Sequence, residues 1–87
     1  TTVFLVMYLT NINAEQKQYF DLDQGVVIKE LVNQRLYRYG IDEGFIILEI
    51  NNNEIKDVSD VEAIDYDSLS SILFLKPNGE RERIIFE

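Results

Sequence analysis

Short apolar runs with the period or composition of extended structure recur along this chain, and the segments between them mark two helices and one brief helical stretch. The run Val3–Leu9 is apolar throughout apart from the hydroxyl of Tyr8 and predicts a first strand with Leu5, Met7 and Leu9 on one face. Asn13 followed by Gln16 has the spacing of a capping box, which predicts a short helix over Ala14–Phe20. Asp21–Gly25 reads as a turn. Val26–Leu31 is a second strand whose Val-Val-Ile core predicts burial on both faces.

The pattern then shortens. Arg35–Tyr39 predicts a brief helical stretch, closed by Gly40 as a left-handed C′ residue. Phe45–Ile50 is a third strand, Asn51–Asn53 a tight turn tolerant of positive φ, and Glu54–Lys56 a short return strand. Ser59 with Glu62 three residues on predicts a second helix starting near Asp60 and covering Val61 and Ile64. Ile72–Lys76, the turn Pro77–Gly79 and Arg81–Phe86 form a β-hairpin. The order β-α-β-(α)-β-β-α-β-β predicts an α+β domain: a small sheet capped by two helices.

Composition narrows the function. The 87 residues suffice for one domain, and a hydrophobic fraction of 46% is enough for a real core. Size scaling predicts a folded surface of about 5,300 Å². Eight basic against 16 acidic residues give a net charge of −8, which repels phosphate backbones and anionic bilayers and argues against nucleic-acid binding. The chain has no histidine and no cysteine, so it has no His- or Cys-based nucleophile–base pair and no zinc or iron–sulfur ligand set. It is expected to act by binding, with no catalytic residues, metal or cofactor of its own. No apolar run approaches the ~20 residues that span a bilayer, and no signal peptide is visible. Because it opens and closes on strands, the chain is expected to be a single domain, 1–87, cut from a longer protein.

The phrase Gly25-Val-Val-Ile-Lys-Glu, the stretch closed by Gly40-Ile41, and Glu43-Gly44-Phe-Ile-Ile-Leu-Glu-Ile-Asn51 together resemble a PDZ domain. Asn52-Asn-Glu-Ile-Lys56 and Val58-Ser-Asp-Val-Glu62 continue the likeness. The connections are similar to the circularly permuted bacterial type, above all the C-terminal PDZ module of HtrA/Deg-type trypsin-like serine proteases. The resemblance implies a partly open barrel or sandwich of five to six strands capped by two helices. It also implies a bacterial, periplasmic or cell-envelope protein of protein quality control, whose parent is a serine protease.

In that family a peptide adds as an extra antiparallel strand between the ligand strand and the second main helix. Carried over, this implies a peptide-binding site at Phe4, Leu5, Val6, Met7, Tyr8 and Leu9 with Asp60 and Ile64, and an apolar pocket between Met7 and Ile64. The implied ligands are chain ends or unfolded segments, with the protease domain or sister subunits as further partners. Phe4–Met7 matches the carboxylate-binding loop, but Val6 stands where the family has glycine. A β-branched residue there disfavours the inward-turned N–H groups that hold a carboxylate, which predicts weak carboxylate capture. The residues alone also allow Leu5, Met7 and Leu9 to be core, and Asp60 to be simply a charge favoured at a helix start. A degenerate, purely structural domain making inter-domain or inter-subunit contacts is the alternative.

Glu54, Asp57, Asp60, Glu62, Asp65 and Asp67 against Lys56 predict a solvated acidic face, which beside a groove would favour basic peptides. A calcium loop from Asp65 is excluded, since Ser70 and Lys76 stand where glycine and glutamate are required. Tyr19, Tyr37, Tyr39 and Tyr66 with the arginines read as surface packing.

Overall fold

The computed structural model describes residues 2–4, 7–31, 38–64 and 66–86; of Thr2–Phe4, Met7 and Tyr66 it describes the backbone alone. In chain order the elements are β1 (Thr2–Phe4), β2 (Met7–Asn11), α1 (Ala14–Phe20), β3 (Val26–Leu31), β4 (Ile46–Ile50) and β5 (Asn53–Glu54). They continue with α2 (Val58–Glu62), a 3₁₀ turn (Tyr66–Ser68), β6 (Ser71–Leu75) and β7 (Arg81–Ile85). The strands make one open antiparallel sheet in the order β1-β2-β3-β4-β6-β7, with β5 pairing to β4 off this path. The fold is therefore α+β, with two short helices. The accessible surface, 5556 Å², lies close to the value that chain length predicts.

The first strand departs from expectation. The run Val3–Leu9 is two strands, with Phe4 opposite Met7, Val3 opposite Tyr8 and Thr2 opposite Leu9. An unbroken apolar run carries no turn residue, so nothing in its pattern marks the reversal.

Two irregularities decide which residues become core. Between Tyr8/Glu30 and Leu9/Ile28 the ladder shifts, leaving Lys29 as an extra residue on β3. Ile28 and Leu31, three apart, then both join the main core. The same happens on β4, where a shift between Ile47 and Glu49 puts Ile47 and Ile50 together. A bulge of one residue reverses the alternation beyond it. Burial on both faces of β3 holds for Val26, Val27 and Ile28, whereas Lys29 and Glu30 are exposed. Leu9, Val26, Ile28, Ile41, Ile72 and Phe74 belong to the main core; Ile12, Val27, Ile46 and Leu75 form a smaller cluster on which Phe20 and Leu22 pack.

Turns and caps follow the sequence closely. Asn13 accepts the Gln16 N–H at 2.8 Å and donates its own N–H to Gln16 Oε1 at 2.9 Å, the reciprocal box expected. Asn51 and Asn52 take left-handed φ values of 53° and 67°, and the hairpin after β6 turns at Pro77–Asn78. Gly40 has φ 81° at the end of a 3₁₀ turn containing Arg38 and Tyr39, as its C′ role requires; the rest of the stretch predicted as helix lies outside the described residues.

The second helix begins earlier than expected. Its N-cap is Asp57, not Ser59, and its box partner is Asp60, not Glu62. Asp57 Oδ1 accepts from Ser59 and Asp60 N–H at 2.9 and 3.3 Å, while Asp60 Oδ2 accepts from Lys56 N–H at 2.8 Å. The same three-residue spacing occurs twice here in overlapping form, and carboxylates at both ends favour the earlier one. The helix stops at Glu62, so Ile64 lies beyond it. No helix among the described residues is long and apolar enough to cross a membrane.

Candidate functional site

The end of the sheet nearest α2 carries the sequence-predicted site. β2 pairs through one edge with β3 and through the other with β1. Among the described residues, the strands that α2 mainly approaches are these two, β1 and β2. The resulting unit is two antiparallel strands beside a short helix; the sequence singled out two segments for it, residues 3–9 as one strand and the helix from Asp60.

The helix is held there by a side chain that sequence patterning did not identify. Asn11 ends β2, and its Oδ1 accepts the N–H of Val58, the first residue of α2, at 2.9 Å. That N–H is one of the donors a helix start leaves without an intrahelical partner. Val61 is fully buried in the main core and fixes the same helix from its inner face. One polar and one apolar contact thus set where α2 sits relative to β2.

The predicted residues divide. Leu9 is 0% exposed and belongs to the main core, so of its two readings the structure takes the core one. Tyr8, its neighbour, is 37% exposed and is not part of that core. Asp60 is spent on its capping box. Ile64 is partly buried against the main core just past α2. Phe4 and Met7 form the last ladder pair of β1 and β2, and their side chains lie outside the described residues, as do Leu5 and Val6 entirely.

β1 changes how the site is read. The edge of β2 to which an added peptide strand was expected to pair already carries β1, in the antiparallel sense expected of that peptide.

The acidic face is present around α2. Glu54, Asp57, Glu62 and Asp67 are exposed and Asp60 is half-buried, with Lys56 exposed among them; Asp65 lies outside the described residues. Two of these carboxylates serve backbone N–H groups, which accounts for their position without a ligand. Their mutual repulsion is a separate, screenable cost. Raising salt from about 10 mM to about 150 mM shortens the screening length from ~30 to ~8 Å. The melting temperature is therefore expected to rise by a few degrees over that range. A flat or falling value in a calorimetric salt series contradicts a crowded acidic face.

At the other end of the strand order, Nζ of Lys76, the residue after β6, lies 2.6 Å from the carboxylate of Glu82 on β7. That hydrogen bond, followed by the charges of Glu82 and Glu80, raises the pKa of its ammonium. The chain matches no protein-family model and no curated protein.

Proposed function

We propose that the chain is a PDZ-type peptide-binding module that takes up extended segments by strand addition to β2 beside α2. The observation that carries this reading is the placement of α2 against the β1–β2 end of the sheet, where a short extended segment pairs with β2. Backbone pairing on an edge supplies affinity with little demand on ligand sequence, and a neighbouring helix supplies side-chain contacts. The acidic residues on and around α2 favour basic segments and speed their approach. With the sequence resemblance, the same reading makes the parent a Deg-type serine protease of the cell envelope, with this domain recognising exposed chain ends or unfolded segments.

One observation favours the second reading, a structural domain for inter-domain or inter-subunit contacts: β1 already satisfies the outer ladder of β2. Titration of the labelled chain with peptides ending in a hydrophobic residue and a free carboxylate separates the two. Binding by strand addition predicts amide shifts centred on the β1–β2 pair, Thr2–Phe4 and Met7–Asn11, and on 58–64 at millimolar peptide or below. No shift anywhere at that concentration leaves the structural reading.

Asn11→Ala tests the geometry. Loss of the acceptor for Val58 N–H is expected to cost about 0.5–1 kcal/mol of stability, because the position is exposed and water can replace it. Peptide affinity is expected to fall several-fold, since α2 is no longer pinned to the end of β2. Unchanged affinity with lowered stability would make Asn11 a cap and nothing more.

A further inference from the structure

We propose that β1 is an intramolecular occupant of the peptide slot, so that the domain is closed by its own first strand and binds a peptide only as β1 leaves. The inference rests on the peptide-binding reading above.

The pairing makes the case. β1 lies on the single free edge of β2, antiparallel, with three residues in register from Thr2–Leu9 to Phe4–Met7. It also runs alongside α2, as a strand seated in the slot must. Its direction is that of an added peptide: the C-terminal end of the segment, Phe4, stands opposite Met7 at the start of β2. Its sequence, Thr-Val-Phe, is uncharged and made of β-branched and aromatic residues, in a chain whose net charge is −8. Such a segment suits a strand slot and indicates the ligand class: short, extended, apolar, ending in a large side chain.

β1 is also built to leave. It has three residues, lies at one end of the strand order and, among the described residues, pairs with β2 alone. A two-stranded pairing of that length is marginal in water, and a short edge strand with few partners opens at low cost. If the open form is a minor fraction, the apparent dissociation constant is the intrinsic one divided by that fraction. An occupant of this size is expected to weaken binding by about tenfold, which keeps the slot usable.

Both directions can be forced. Thr2→Pro with Val3→Pro removes two of the three backbone N–H donors of β1 and substitutes none of the described core residues. Val3→Cys with Tyr8→Cys places thiols on directly opposed residues in a chain with no other cysteine, so oxidation locks β1 onto β2. The probe is an acetylated peptide copying Thr1–Phe4 with a free carboxylate, titrated while amide shifts are followed; thermal melts confirm that each variant is folded.

The expected result is about tenfold tighter binding by the proline variant than by the parent chain. No binding is expected by the oxidised cysteine variant, with recovery on reduction. Equal affinity in all forms, weaker binding by the proline variant, or failure of the disulfide to form would each overturn self-occupancy. Absence of binding in every form, including the proline variant at millimolar peptide, would instead overturn the peptide-binding reading itself.

Discussion

Leu9→Ala is expected to destabilise the domain by about 2–5 kcal/mol, the range for truncating a fully buried leucine. Leu9 sits opposite Ile28 in the ladder and joins Val26, Ile47 and Phe74 in one cluster, so little neighbouring structure is free to collapse into the gap. At roughly 0.05–0.15 kcal/mol per residue, a chain of 87 residues has about 4–13 kcal/mol in all, so this loss takes a large share of it. The variant is therefore expected to be partly unfolded near physiological temperature and to melt many degrees lower. The contrast that makes the experiment informative is its neighbour. Tyr8→Ala, on the exposed face, is expected to cost no more than about 1 kcal/mol. Comparable costs at the two positions in denaturant titrations would show that β2 does not present alternate faces to core and solvent. A cost under about 1 kcal/mol for Leu9→Ala would return that side chain to the groove.

This pair of residues also shows what the amino-acid pattern can and cannot convey. Alternation states that Leu9 and Tyr8 face opposite ways; it does not state which face is covered. That depends on β3 and β4, whose bulges at Lys29 and after Ile47 place three-residue spacings on one face. The reversal between Phe4 and Met7 left no trace in a run of apolar residues, and so the pairing of β1 on β2 was not legible. Where the controlling groups lie within a few residues of each other, the sequence was sufficient. The Asn13–Gln16 box, the Asn51–Asn52 turn, the Pro77–Asn78 hairpin and the positive φ of Gly40 are all of this kind. The second helix is an instructive middle case. A capping box was expected at its start, but on Ser59 and Glu62; two overlapping spacings competed and the box formed on Asp57 and Asp60. Asn11 escaped notice because its partner, Val58, is 47 residues away. As for the site, the sequence brought attention to β2 and α2, and the structure adds that β1 stands with them.

Asn51→Ala is expected to cost about 2–4 kcal/mol, well above the cost of Asn11→Ala. Two effects combine at this residue. Its φ of 53° lies in the left-handed region, where asparagine is tolerated and alanine is strained by about 1–2 kcal/mol. Its side chain also ties the segment after α2 to the turn after β4. Oδ1 accepts from Ser70 N–H at 2.7 Å, Ser70 Oγ at 3.0 Å and Ser71 N–H at 3.2 Å, while Nδ2 donates to the Ser68 carbonyl at 2.9 Å. Ser71 is buried, so its N–H would lose an acceptor that water does not readily replace. Asn11 holds the start of α2 and Asn51 holds the chain that follows it, so between them these two asparagines fix the helix beside β2. Asn51→Gly separates the two contributions, because glycine relieves the backbone strain and still lacks the side-chain bonds. The glycine variant is expected to recover about 1 kcal/mol of the alanine loss and no more. Equal stability of Asn51→Gly and the parent chain in urea titrations would show that the bonds to Ser68, Ser70 and Ser71 contribute nothing net. In that event asparagine is present for its backbone alone, and α2 is held by Asn11 and Val61 without help from the turn.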